Sequence, residues 1–176
     1  MKRIAAFLDR DGVINRRKIG GYITTPDEFI LLPKAPEGIA LLNSIGVLVI
    51  VVTNQRGIER GVMTEEELKR VHQFMIAELK KRSARIDDIL FCPHSTGYYR
   101  KPSPGMILAA AERHQVDLPS SFTIGDTNTD ILAGKAAGTK TILINPEGET
   151  DIEADFYAEN LYEAAELIRH KIAPHK

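Results

Sequence analysis

Four short polar clusters hold the residue types that phosphoryl chemistry uses: Asp9-Arg10-Asp11-Gly12, Thr53-Asn54-Gln55, Arg100-Lys101-Pro102 and Gly125-Asp126-Thr127-Asn128-Thr129-Asp130. Carboxylates contributed by separate stretches of chain suit a hard, oxygen-liking cation such as Mg2+, which keeps several waters and a substrate phosphate oxygen in its shell. A lysine and a threonine hydroxyl beside that cation neutralise and hydrogen-bond the remaining phosphoryl oxygens. Screened in this way, an aspartate can attack phosphorus and form an aspartyl-phosphate. A second carboxyl two residues later lies on the same side of an extended chain, where it can protonate a leaving alkoxide and then activate water.

The elements that must position these clusters are legible as alternating strands and helices. Short apolar runs at Arg3–Leu8, Val47–Val52, Asp88–Phe91, Ser121–Ile124 and Lys140–Ile144, with a weaker one at Asp155–Tyr157, read as strands. Most are unbroken in hydrophobicity, the pattern of strands covered on both faces. Helices lie between them. Pro36 stands near the start of one that Gly46 stops, and Thr64-Glu65-Glu66-Glu67 is a capping box ahead of Leu68, Val71, Met75 and Leu79. Ser103-Pro104 opens another, Thr127 or Asn128 a fourth that ends at Gly138, and Asn160 caps the last. The reading is a three-layer, Rossmann-like α/β fold with a mainly parallel sheet, formed by one domain over residues 1–176. Ligands of such folds bind outside the carboxyl ends of the strands, where these polar clusters fall.

Composition narrows the function classes. The 43% hydrophobic and 27% charged residues are those of an ordinary globule, and 23 Lys plus Arg against 24 Asp plus Glu leave a net charge of −1, with no field to recruit nucleic acid or an anionic membrane. The longest apolar run, Val47–Val52, is too short to span a bilayer, and MKRIAAFLDRDG lacks the uninterrupted apolar stretch of a signal peptide. A single cysteine excludes an intrachain disulfide framework and suits a reducing cytoplasm, the expected location. The chain is expected to act as a monomer. An aromatic content of 6% without tryptophan offers no stacking platform for single-stranded nucleic acid, so no nucleic-acid partner is expected.

FLDRDGVIN, VVTNQRGIERG, CPH followed by RKPSPGM, and IGDTNTD resemble, in order, the four motifs of the haloacid-dehalogenase (HAD) superfamily. Within it the chain looks most like the small phosphatases that act on heptose bisphosphates and histidinol phosphate. The resemblance implies a nucleophile at Asp9, a general acid/base at Asp11 whose carbonyl also binds metal, Thr53 and Lys101 on the phosphoryl group, and Asp126 completing a Mg2+ site with Asp9 and Asp11. It also implies substrate contacts at Gly21, Tyr22, Asn54, Gln55, Arg56 and Arg100. The implied activity is Mg2+-dependent hydrolysis of a small phosphate ester, with a sugar bisphosphate of the heptose type ahead of histidinol phosphate or a polynucleotide 3′-phosphate. A receiver-like or catalytically silent phosphate-binding module is the non-enzymatic alternative.

Two features depart from the family pattern. Relatives carry a zinc loop of Cys-x-His followed by Cys-x-Cys; Cys92 and His94 remain here, but Gly97 and Tyr99 replace the second pair. A closed zinc site takes about four ligands, so no structural zinc is expected. Instead Tyr98 and Tyr99 are expected to cover apolar surface and Cys92 to pack as a small hydrophobe. The heptose enzymes also tend to have Lys after the fourth-motif Asp, where this chain has Thr127. The 41 residues between Asp11 and Thr53, and the 47 between Thr53 and Lys101, leave no room for a cap domain; a flap over Ile14–Phe29, bending at Gly20-Gly21, is expected to exclude water instead. Arg16-Arg17-Lys18 reads equally as a solvated run or a substrate-facing one, Asp130 as a partner of metal-bound water or a helix cap, and His72 as a packed core residue.

Overall fold

The unbroken apolar runs become strands, the four central ones buried from both sides and the two edge ones half-buried. In the computed structural model, which describes residues 2–144 and 151–173, these strands are β1 (Ala5–Leu8), β2 (Leu48–Asn54), β3 (Asp88–Cys92), β4 (Phe122–Gly125), β5 (Lys140–Ile144) and β6 (Phe156–Ala158). Among the described residues they form one sheet in the order β3-β2-β1-β4-β5-β6, every pair parallel. That order is the doubly wound one, with its switch point between β1 and β4; receiver domains follow 2-1-3-4-5, so the receiver alternative falls.

Five helices cover the sheet: α1 (Ala35–Ser44), α2 (Glu65–Lys80), α3 (Gly105–His114), α4 (Asn128–Ala137) and α5 (Leu161–Ile172). Residue alternation along β1 sorts the two faces. Ala6 and Leu8 join Ile39 and Leu42 of α1, Met75 and Leu79 of α2 and Ile168 of α5, while Ala5 and Phe7 join Met106 and Ala110 of α3 and Ala133 of α4. Each of the Leu, Ile, Met and Phe side chains among them contributes about 1.5–3 kcal/mol when buried. The capping box of α2 forms as expected, Glu67 N–H to Thr64 Oγ1 at 3.1 Å and Thr64 N–H to Glu67 Oε2 at 2.7 Å, and Asn160 Oδ1 accepts from Glu163 N–H at 3.0 Å.

The expected boundaries move by one or two residues. The last strand begins at Phe156 instead of Asp155, because the Asp155 carboxylate accepts from the backbone N–H and hydroxyl of Thr141 at 2.7 and 2.8 Å. Between β1 and β2 the chain forms a loop with one short 3-10 turn (Pro26–Glu28) and then α1; between β2 and Lys101 it forms α2, β3 and connecting loops. No separate cap occupies either gap. One expectation is corrected: Tyr98 and Tyr99 cover little apolar surface, being 57% and 52% exposed and stacked edge-to-face on each other at 5.4 Å. Tyr98 Cδ1 lies where a Cβ on Gly105 would come within 2.6 Å, so this glycine lets the loop pack on the start of α3. Cys92 is buried, its Sγ beside the His94 carbonyl at 3.9 Å, whereas the His94 ring lies 4.0 Å from Glu59.

Candidate active site

The switch point brings Asp9 and Asp126 together. Asp9 follows the last residue of β1, its N–H donates to Ile124 of β4 at 3.1 Å, and Asp126 follows β4. Lys101, from the loop before α3, is buried and reaches three groups with one ammonium: Asp9 Oδ1 at 2.9 Å, Asp130 Oδ1 at 2.6 Å and the Val52 carbonyl at 2.8 Å. Asn54 fixes that lysine's backbone from both sides, its Nδ2 donating to the Lys101 carbonyl at 3.0 Å and its Oδ1 accepting from the Lys101 N–H at 3.1 Å. Desolvation favours the neutral amine, but Asp130 and Asp9 outweigh it and hold Lys101 charged, its pKa raised. Asp130 also serves the start of α4. Its second oxygen accepts from the N–H and hydroxyl of Thr127 at 3.1 and 2.7 Å, which makes it a helix-start and lysine partner.

Burial and the neighbouring carboxylates Asp130, Asp126 and Asp11 raise Asp9 to about 7 against the pull of Lys101. Asp126 is raised to about 6 by burial and by Asp130, with Arg17 acting in the opposite sense. Oxygens of Asp9, Asp126 and Asp130 lie within 4.8 Å of one another. Arg17 Nη2 stands against this group as a cation would, 2.8 and 2.9 Å from the two Asp126 oxygens and 3.2 Å from the Asp11 carbonyl. Gly12, at φ +90°, passes so close that a Cβ would lie 1.9 Å from Asp126 Oδ2. An all-oxygen donor set with excess negative charge, in a cradle that admits only glycine, fits a hard divalent cation.

Asp11 occupies a different corner. Its carboxylate accepts from Arg10 Nη2 at 3.0 and 3.1 Å, from Asn15 Nδ2 at 3.0 Å and from Gln55 Nε2 at 2.9 Å. Burial works against its charge, yet Arg10, Asn15 and Gln55 prevail and lower its pKa. Arg10, which the sequence reading passed over, is fully buried, and its Nη1 meets His72 Nε2 at 3.1 Å. Burial and that guanidinium push His72 down to about 3, so it is neutral and accepts from the arginine. The packed histidine expected on α2 is thus packed and also bonded.

Gln55 lines the cavity on the flap side, where a substrate contact is expected, and it has an internal part as well. It is buried, and its amide nitrogen bridges Asp11 and Thr53 Oγ1, the latter at 2.9 Å. Thr53 is buried at the end of β2 and accepts that bond, which leaves its hydroxyl proton to donate. Two adjoining cavities open over these groups. One, about 340 Å³, is lined by Asp9, Arg56, Arg100, Lys101 and Thr129; the other, about 450 Å³, by Lys18, Ile19, Gly20, Gly21 and Ile23 of the flap. Asp11, Arg17, Tyr22, Asn54 and Arg60 line both. The structure therefore brings Gly21, Tyr22, Asn54, Gln55, Arg56 and Arg100 to the site, and adds Arg60, whose spacing of four from Arg56 was the signal available in the sequence.

Fold and site together are those of a doubly wound α/β enzyme that handles phosphoryl groups with carboxylates, a lysine and a divalent cation. The HAD-hydrolase-like family model matches residues 98–164. The chain is 43% identical over 147 residues, 78% of its length and 81% of the relative's, to D-glycero-beta-D-manno-heptose-1,7-bisphosphate 7-phosphatase of Rhodopseudomonas palustris. It is 42% identical over 154 residues, 82% of its length and 80% of the relative's, to the corresponding alpha enzyme of Burkholderia mallei. A solved structure of D,D-heptose 1,7-bisphosphate phosphatase from B. bronchiseptica, complexed with magnesium and phosphate, superposes with a TM-score of 0.87 at 32% identity, covering 97% of this chain and 99% of that one. The chain belongs to this family of HAD-type phosphatases and is a phosphoric monoester hydrolase.

Proposed function

We propose that the protein is a Mg2+-dependent phosphatase that removes the 7-phosphate of a D-glycero-D-manno-heptose 1,7-bisphosphate through an aspartyl-phosphate at Asp9. The observation that carries this reading is the meeting of Asp9 with Lys101 at 2.9 Å beside Asp126, at the floor of a cavity whose rim holds Arg56, Arg60 and Arg100. Relatives named for both anomers share the 7-phosphatase activity, and the neighbour from B. bronchiseptica holds magnesium and phosphate. Asp9, the Asp11 carbonyl and Asp126 hold the cation, which when bound neutralises carboxylate and phosphoryl charge.

In the first half-reaction an Asp9 oxygen bonds to phosphorus while the bond from phosphorus to the sugar oxygen breaks, and Asp11 gives that oxygen its proton. Asp11 then takes a proton from water, whose oxygen attacks phosphorus, and the bond to Asp9 breaks to release phosphate. Lys101 and the Thr53 hydroxyl hold the phosphoryl oxygens throughout. Arg100 and Arg56 supply positive charge beyond what the transferred group needs, matching a second phosphate. Tyr22, whose ring lies 2.9 Å from where a Gly57 Cβ would be, closes the flap side with Gly21. The net charge of −1 favours a small metabolite over a polynucleotide, and the reading takes the chain as a monomer of one domain over residues 1–176. No described helix is long and apolar enough to cross a membrane, and the buried, unpaired Cys92 suits a cytoplasmic setting.

The test is a kcat/KM comparison across heptose 1,7-bisphosphates, histidinol phosphate, neutral sugar monophosphates and a 3′-phosphorylated oligonucleotide, with and without chelator. The bisphosphate is expected to lead, chelation to stop turnover, and Arg100→Ala to lower the bisphosphate's value more than a monophosphate's. A neutral monophosphate hydrolysed faster than every bisphosphate, with Arg100→Ala treating both alike, overturns the substrate reading.

A further inference from the structure

Lys101 balances two of the three clustered carboxylates, Asp9 and Asp130; Asp126, which is buried, takes its ion pair from Arg17. That arginine comes from the flap, and a single nitrogen, Nη2, faces three oxygens at 2.8, 2.9 and 3.2 Å. Those oxygens belong to Asp126 and the Asp11 carbonyl, which the preceding section assigns to the metal, so this inference rests on that assignment. A divalent cation binds such oxygens at about 2.1 Å. The guanidinium nitrogen and the cation would then share the same oxygens from the same side, and like charges exclude one another there.

We propose that Arg17 is a resident cation of the metal site: it holds Asp126 and the Asp11 carbonyl in place, and a divalent cation binds by displacing it. A buried carboxylate left unpaired is strongly destabilising, so one positive group must always face Asp126. Arg17 supplies it first and the metal afterwards. Displacement also acts on the flap. The ties of Arg17 cross from the flap to the ends of β1 and β4, whereas the Lys18–Glu28 ion pair and the Thr24–Glu28 bonds at 2.8 and 3.1 Å stay inside it. Metal binding therefore releases this polar tie of the flap, while Ile23 and Phe29 keep its base in the core. The freed guanidinium remains in the wall common to both cavities, where an anionic substrate can take it up.

The experiment is calorimetric titration of MgCl2 into the full chain and its Arg17→Gln, Arg17→Lys and Asp126→Asn variants, with amide hydrogen exchange over residues 16–24. Arg17→Gln is expected to bind Mg2+ about tenfold more tightly than wild type, because no charge-assisted hydrogen bond has to be broken first. Arg17→Lys, which keeps the charge, is expected to stay within about threefold of wild type on the same reasoning. Mg2+ should speed exchange in the wild-type flap, while in Arg17→Gln exchange should be fast already and indifferent to Mg2+. Asp126→Asn should lose most binding. If Asp126→Asn loses binding but Arg17→Gln matches or falls below wild type, or the wild-type flap slows with Mg2+, Arg17 is no competitor and this inference is wrong. If Asp126→Asn binds as wild type does, the metal assignment itself fails.

Discussion

Asp9 and Asp11 leave the same strand two residues apart and face opposite electrostatic worlds. Asp9 is buried among Asp130, Asp126 and Asp11, and Lys101 only partly offsets them, so its carboxyl rises to about 7. Asp11, half-buried, is encircled by Arg10, Asn15 and Gln55 and falls below the usual carboxylate range. The proposed reaction asks for the reverse, an ionised nucleophile at Asp9 and a proton on Asp11. Two charges reverse the order. Carboxylates that share a divalent cation lose affinity for protons, which lowers Asp9. A phosphate dianion arriving between the two favours a protonated Asp11 and competes for its donors. The difference between the corners therefore lies in their partners, clustered carboxylates around Asp9 and an arginine with two amides around Asp11.

The largest effect should come from the nucleophile. Asp9→Asn is expected to cut phosphate release by about 10⁵-fold or more, the scale on which covalent nucleophiles are lost. Near-wild-type turnover, in a preparation free of other phosphatases, would sink the aspartyl-phosphate mechanism. Asp11→Asn touches the other corner, where only proton transfer is at stake, and should cost about 10²–10⁴-fold. That loss should shrink on aryl phosphates, whose leaving groups need little protonation; an equal loss on aryl and alkyl esters would argue that Asp11 acts on something other than the leaving oxygen.

Gly12→Ala strikes chiefly at Asp126, on the Asp9 side. A Cβ there would meet Asp126 Oδ2 at 1.9 Å, and φ of +90° already disfavours any residue but glycine. The displaced carboxylate should weaken Mg2+ binding about 10–100-fold, as when supporting groups of metal ligands are altered. The Asp11 corner should keep its bonds, so excess Mg2+ should restore much of the rate. Failure of high Mg2+ to restore any activity would show that Gly12 serves more than the metal.

The sheet, its helices and the floor of the site were legible in the sequence because each leaves a local trace. Strands covered on both faces read as apolar runs, Thr64 to Glu67 spell a capping box, and the four motifs keep their order. What escaped depends on tertiary placement. Arg10 looks like a solvated charge between two aspartates until β1 and α2 are packed around it against His72. Arg17 sits in a run of three cations, and nothing in that run says which one folds back onto Asp126, 109 residues away. Gln55, implied as a substrate contact by the family resemblance, lines a cavity and also turns its amide nitrogen to Asp11, a bond that only the turn after β2 creates. Asp130 shows its partners only in the fold, where one oxygen meets Lys101 and the other meets Thr127.

The smallest effect tests what stands behind Asp11. Arg10 is held between that carboxylate and His72, and the histidine can accept from it only while neutral. Burial and Arg10 put His72 at about 3 in the folded chain, against 6.5 ordinarily. Between those values the unfolded chain binds a proton that the folded chain refuses, so stability is complete above about pH 6.5 and falls as pH drops through this window. The slope is at most about 1.4 kcal/mol per pH unit, or about 2 kcal/mol by pH 5. His72→Gln keeps an oxygen to accept from Arg10 Nη1 but removes the titration. Urea unfolding at pH 7.5, 6 and 5 should therefore show wild type losing more stability than the variant as pH falls, with the gap between them constant above pH 6.5. Parallel curves across the whole range would mean that His72 takes up its proton in the folded protein, and that Arg10 holds Asp11 without its help.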